Sequence, residues 1–142
     1  MKRIYSIFLL VVMTFAFTGC DKWDCNGDLD GMWQLTEWRG TDKTLKATKE
    51  DKIFYSFQLQ MAAFRKNGDE FYIRTLLEAN SEQILISKPI IYEGNGHDAV
   101  QPMSILSVVG VPEDGIFYIK ELTGKSMKLQ TKNQETLSFR KY

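Results

Sequence analysis

The side chains able to do chemistry are few: two cysteines, Cys20 and Cys25, and a single histidine in Gly94-Asn95-Gly96-His97-Asp98. One histidine cannot furnish a multi-histidine metal site, and no cysteine or carboxylate spacing supplies the rest of a ligand set. The His97-Asp98 pair invites a catalytic or metal reading, yet its glycine-rich surroundings fit a solvated loop better. Glu37, Glu70 and Glu121 are scattered carboxylates that only a fold could bring together. The chain has neither a Gly-x-Ser-x-Gly elbow nor a Gly-rich phosphate loop. The sequence therefore assigns no catalytic residue, no metal ligand and no cofactor, and the reading is that of a non-enzyme.

Around Cys20 the sequence says more. Lys2 and Arg3 precede an apolar run from Ile4 to Phe17, shorter than the roughly 20 residues a helix needs to span a bilayer. Basic flank, apolar core and small-residue exit are the order of a secretory signal. At the exit, Thr18-Gly19-Cys20 resembles the lipobox of bacterial lipoproteins, with Phe17 where leucine is usual. The resemblance implies cleavage before Cys20, lipidation of its thiol and attachment to a membrane through the N-terminal lipid. Residues 1–19 are then the signal peptide, 20–28 a flexible lipidated tether and 29–142 the domain. Cys25 would be left without a partner for an internal disulfide, and no basic neighbour marks it as reactive. The run from Asp21 to Asp30 is rich in Asp, Asn and Gly, and its full extension holds the domain within roughly 35 Å of the headgroups. Trp23 in that run suits either the headgroup zone or packing back onto the domain.

The elements that must position everything else are strands. Lys and Arg total 18 and so do Asp and Glu, and losing Lys2 and Arg3 leaves a slight acidic excess. That balance gives no electrostatic case for nucleic acid. Past the tether, apolar residues recur with period two, the mark of strands with one buried face. Ile53, Tyr55, Phe57, Leu59 and Met61 alternate with polar neighbours, and Phe71, Ile73 and Leu77 follow an Asn67-Gly68-Asp69 turn. The pattern predicts a hairpin over 53–77 with a frayed middle at Ala62-Ala63. Further strands are expected over 33–38, 83–87, 90–92, 116–122, 126–131 and 135–142, the last two pairing with Met127 and Leu129 facing Leu137 and Phe139. About eight short strands joined by Gly, Asn and Asp turns make an all-β sandwich or antiparallel barrel.

Two segments interrupt the alternation. Lys43, Lys46, Lys49 and Lys52 recur every three residues in a polar connection, which as a helix would carry one basic stripe and otherwise reads as a solvated face. Met103 to Val109 is apolar and ends at Gly110, which suits a short helix across a barrel end.

Gly31-Met32-Trp33, opening the first strand, resembles the Gly-x-Trp signature of lipocalins. In that family an arginine of the last strand packs across the tryptophan, and Arg140 stands where it is expected. The resemblance covers 29–142 and implies an antiparallel lipocalin-like β-barrel of about eight strands with one short helix, closed by Trp33 and Arg140. It points to the small lipocalin-like lipoproteins of Gram-negative bacteria, hence to a lipid-anchored monomer of the cell envelope at the outer membrane. A barrel of this size is either filled by side chains or holds one small ligand. The inferred inward set is Leu35, Tyr55, Phe57, Leu59, Met61, Phe71, Ile73, Ile84, Ile86, Phe117, Ile119, Met127, Leu129, Leu137 and Phe139. Of these, Tyr55, Phe57, Leu59, Phe71, Ile73, Phe117, Met127 and Phe139 are the candidate lining of an apolar ligand pocket. The expected function is binding or carrying a small hydrophobic molecule. The alternative is a filled barrel that docks an envelope protein as inhibitor or accessory subunit. A membrane-spanning barrel fits less well, because several strands are shorter than the roughly 9–11 residues it needs.

Overall fold

The computed structural model describes residues 26–92, 94 and 98–142. The signal peptide, Cys20, Trp23, Cys25 and His97 lie outside the described residues. Ten strands form one antiparallel sheet: β1 Gly31–Arg39, β2 Leu45–Thr48, β3 Ile53–Gln58, β4 Met61–Lys66, β5 Phe71–Ala79, β6 Gln83–Tyr92, β7 Asp98–Val100, β8 Ile116–Leu122, β9 Ser126–Gln130 and β10 Thr136–Lys141. The order β1-β3-β4-β5-β6-β8-β9-β10 returns to β1, because Trp33 pairs with Lys141 and Leu35 with Phe139. β2 continues the wall above β3 by pairing with Glu37–Arg39, and β7 pairs with the upper part of β6. The ten segments thus make an eight-walled closed barrel, the arrangement that limits unpaired edges, with β2 and β7 each paired on one side.

Alternation builds the walls as expected. Along β3 the pattern is buried Ile53, Tyr55 and Phe57 against part-exposed Phe54 and Ser56, and Met127 and Leu129 face Phe139 and Leu137 in the last hairpin. All buried faces point into one core running from Leu29 and Trp33 to Leu106, Val109 and Val111. The lower end carries the β3–β4, β5–β6 and β8–β9 turns. There a short 3-10 turn, Gly27–Leu29, buries Leu29 as a plug. The upper end is covered by the apolar segment Met103–Val109, a 3-10 helix that buries Leu106 and Val109 and stops at left-handed Gly110.

Three expectations are corrected. Residues 53–77 form three strands, not one hairpin: β3 turns at Leu59-Gln60 and pairs with β4, with Tyr55 opposite Phe64, and β4 pairs in turn with β5. Leu59 takes φ 55 in that turn and is 39% exposed, and Met61 starts β4 at 45% exposed. Neither points inward, because the turn reverses the chain before the alternation reaches them. Residues 83–92 form one strand instead of two. Lys88 (φ 50) and Pro89 make a bulge opposite Thr75, where a proline without an N–H is tolerated. The lysine-rich connection takes the solvated alternative, as β2 followed by a capped 3-10 turn, Lys49–Asp51, with Lys43, Lys46 and Lys49 exposed.

Candidate functional site

Tyr55 stands at the centre of the barrel, fully buried. Its ring centroid lies 4.6 Å from those of Phe64 and Phe139, 6.1 Å from Phe117 and 6.2 Å from Phe57. Its hydroxyl donates to the Val109 carbonyl of the upper helix at 2.6 Å. Burial holds the phenol neutral by pushing its pKa well above the ordinary value of 10.0. Tyr55, Phe57, Phe117, Met127 and Phe139 are thus brought together as one packed core, with Phe64 among them. Phe64 was missed because Ala62-Ala63 reads as a fray, although Ala62 and Phe64 share the two-residue period. Phe71 and Ile73 sit higher on β5, where the wall opens.

The closed end differs from expectation in one residue. Trp33 is fully buried, and its indole N–H donates to the Leu29 carbonyl at 2.8 Å. The cation over its ring is Lys141, with Nζ 4.5 Å from the centroid, and not Arg140. The same ammonium donates to the carbonyls of Asp28 and Asp30, pinning the plug. Pleating decides the choice: Lys141 is the partner of Trp33, whereas Arg140 is the partner of Gln34 on the outer face. Arg140 donates from Nε and Nη2 to Gln34 Oε1 at 2.9 and 2.6 Å.

The carboxylates do not converge. Glu37 is paired with Arg39 at 2.6 Å, a hydrogen bond that lowers its pKa; Glu121 accepts from Ser126 Oγ at 2.8 Å on β8; Glu70 lies on the β4–β5 turn. Among the described residues no group of three or more His, Cys, Asp or Glu is placed to hold a metal.

One concavity lies at the upper side of the wall. β5 and β6 pair from Arg74–Ile90 downward, and above that level no residues of the two strands are paired. The parted strands and the upper helix enclose an open cleft of about 590 Å3, lined by Phe71, Ile73, Ile91 and Ile105 with Tyr72, Arg74 and Tyr92 at the mouth. Asp69 and Glu70 close one end. A larger groove of about 750 Å3 follows the lower rim, lined by Gly27, Asp28, Asp30, Gly31, Met32, Ser56, Phe57, Gln58, Gly124 and Lys141. The β5–β6 cleft joins an apolar floor to a polar mouth, the makeup of small-molecule sites. Phe71 and Ile73 were legible as inward strand positions. Ile91, Tyr92 and Ile105 were not, because their role depends on β6 bending away at its bulge.

A closed antiparallel barrel of eight walls, entered through a Gly-x-Trp strand and covered by one short helix, defines the lipocalin-like class. The chain belongs to the family of the lipocalin-like domain, whose family model matches residues 14–142. It is similar to the crystal structure of a lipocalin-like protein from Bacteroides uniformis ATCC 8492, at 24% identity and TM-score 0.59, over 82% of this chain and 100% of that one. An uncharacterised protein from Bacteroides eggerthii DSM 20697 is similar at 26% identity and TM-score 0.59, over 80% of this chain and 99% of that one. The NMR structure of a protein from Burkholderia xenovorans shares the fold at 14% identity and TM-score 0.51, over 80% and 83% of the two chains. No curated protein matches the chain.

Proposed function

We propose that this protein is a lipid-anchored lipocalin-like binding protein of the bacterial cell envelope, held at the outer membrane through acylated Cys20. It takes a small apolar or amphiphilic molecule in the cleft between β5 and β6 and not in the barrel axis. The observation that carries the reading is the cleft itself: about 590 Å3 with an apolar floor of Phe71, Ile73, Ile91 and Ile105, beside a barrel whose axis is occupied by Tyr55 and its aromatic neighbours. The family membership supports a binding role, and the Thr18-Gly19-Cys20 exit supports the anchor.

Native mass spectrometry of the mature chain, purified from its membrane and exposed to the host lipid extract, tests the cargo. A discrete added mass is expected, lost in Ile105→Glu and Phe71→Ala and kept in Arg140→Met. A bare mass throughout sinks the carrier reading. The packed axis would then favour the second reading, a filled barrel that docks an envelope protein. The anchor is tested separately by metabolic labelling with palmitate, where label that survives Cys20→Ser sinks it.

A further inference from the structure

We propose that the outer wall made by β3, β4, β5 and the upper part of β6 docks on an anionic lipid bilayer, the one holding Cys20; the inference rests on the acylation proposed above. The large apolar side chains left exposed among the described residues are gathered on this wall. Leu59, Met61, Tyr72, Leu76 and Tyr92 belong to it, Val100 of β7 adjoins it beside Ile90, and Tyr142 reaches its margin against Phe54, while Leu45 and Val108 lie elsewhere. Such clustering marks a contact surface in a way that single exposed leucines do not.

Strand register explains the grouping. Outward Met61 stands opposite Leu76, and Arg65 opposite Tyr72. Ala63 stands opposite Arg74, which is followed across the sheet by Ile90 and Val100. The Arg65 guanidinium lies 4.7 Å from the Tyr72 ring centroid, and that of Arg74 lies 5.7 Å from Tyr92. Between these ridges the small Ser56 and Ala63 leave a shallow groove of about 350 Å3. The outward positions from Phe54 to Arg65 and from Tyr72 to Leu76 hold two arginines and no carboxylate. Asp69, Glu70, Glu78 and Asp98 stand at the margins, with Asp69 3.9 Å from Arg65.

Two observations select a lipid surface as the occupant. The first is where the chain enters. Asn26 Nδ2 donates to the Leu59 carbonyl at 2.8 Å, so the segment leading back to Cys20 departs from the lower edge of this wall. Fully extended, the step from Cys20 to Asn26 reaches about 20 Å. Tyr72 lies four residues along β5 from Leu76, roughly 13 Å further up. The second is chemistry. Tyrosine rings with polar tips and arginines with apolar stems suit the headgroup zone, and arginines met only by a marginal carboxylate, Asp69 at 3.9 Å from Arg65, favour anionic lipid. Tyr72, Arg74 and Tyr92 line both the wall and the cleft mouth, so a docked wall sets that mouth at headgroup level.

The test couples residues 20–142, carrying Cys25→Ser, through Cys20 to a maleimide lipid in vesicles of phosphatidylethanolamine with or without phosphatidylglycerol. The same protein coupled to soluble polyethylene glycol is the control. Hydroxyl-radical footprinting reads Met61, Tyr72 and Tyr92, with Tyr118 of β8 as reference. The expected result is several-fold slower oxidation of the three wall residues on the anionic vesicles alone, with Tyr118 unchanged, and full reactivity restored by Arg65→Glu with Arg74→Glu in a protein of unchanged circular dichroism. Equal reactivity on vesicles and in the control overturns the proposal. Protection already present in the control overturns it in favour of a second copy, and protection found only in intact host envelopes overturns it in favour of a protein partner. Because this anchor is chemical, wall protection together with absent palmitate label at Cys20 would fail the acylation reading alone.

Discussion

At the scale of single residues, Tyr55 joins the barrel wall to the upper helix through one hydrogen bond to Val109. Tyr55→Phe leaves that carbonyl without its donor and is expected to cost about 1–3 kcal/mol in chemical denaturation. The pKa shift adds a pH signature. An unfolded tyrosine ionises near pH 10, whereas the buried one, its pKa raised by desolvation, stays neutral beyond that. Its contribution is complete below pH 10 and declines as pH rises toward the folded-state value. Melting curves across this range should fall less steeply in Tyr55→Phe than in the parent. At the other end, Trp33→Ala should cost about 3–5 kcal/mol. Lys141→Met should cost more than Arg140→Met, since only Lys141 caps the plug carbonyls; equal losses would refute that division. The Gly-x-Trp strand made the closed end legible, but an offset of one position between Lys141 and Arg140 depends on strand register, which no single strand displays.

At the scale of elements, the upper helix is held between Pro102 and Gly110, with the Gly115 turn behind it. Gly115 has φ +71, and a Cβ there would lie 2.0 Å from the Ile86 carbonyl oxygen. Gly115→Ala therefore cannot keep the Ile86 N–H bond to the Gly115 carbonyl, 2.8 Å long. It should destabilise by well over about 1 kcal/mol, read as a lower melting temperature. Strands whose alternation ends at Gly, Asn or Asp were legible, as in β8, β9 and β10. The misreadings fall where an ordinary side chain takes the left-handed conformation: Leu59 in the β3–β4 turn and Lys88 in the β6 bulge, at φ 55 and 50. Nothing local marks a leucine or lysine for that role. Tertiary pairing imposes it, and the cleft is a product of the second.

At the scale of the whole molecule, one core runs from plug to upper helix, with Trp33 near the bottom and Trp38 against Gly110 near the top. Unfolding should be one cooperative transition, with tryptophan fluorescence and far-ultraviolet circular dichroism tracing the same denaturant curve. A separate early phase would show that the upper helix detaches by itself. The barrel was legible as a whole because its interior is apolar and its strands short. That the axis is filled was not, since the same aromatic residues line a hollow or pack a solid.

The seam between β1 and β10 joins residues between 97 (Arg39 and Thr136) and 108 (Trp33 and Lys141) positions apart, and Tyr142 donates its backbone N–H to the Met32 carbonyl at 2.8 Å. The first strand must therefore wait for the last, and no partial chain contains a complete circumference. A polypeptide emerging N-terminus first from a ribosome stays an unsealed sheet until β10 is free to pair with β1, and it gains its closed form only then.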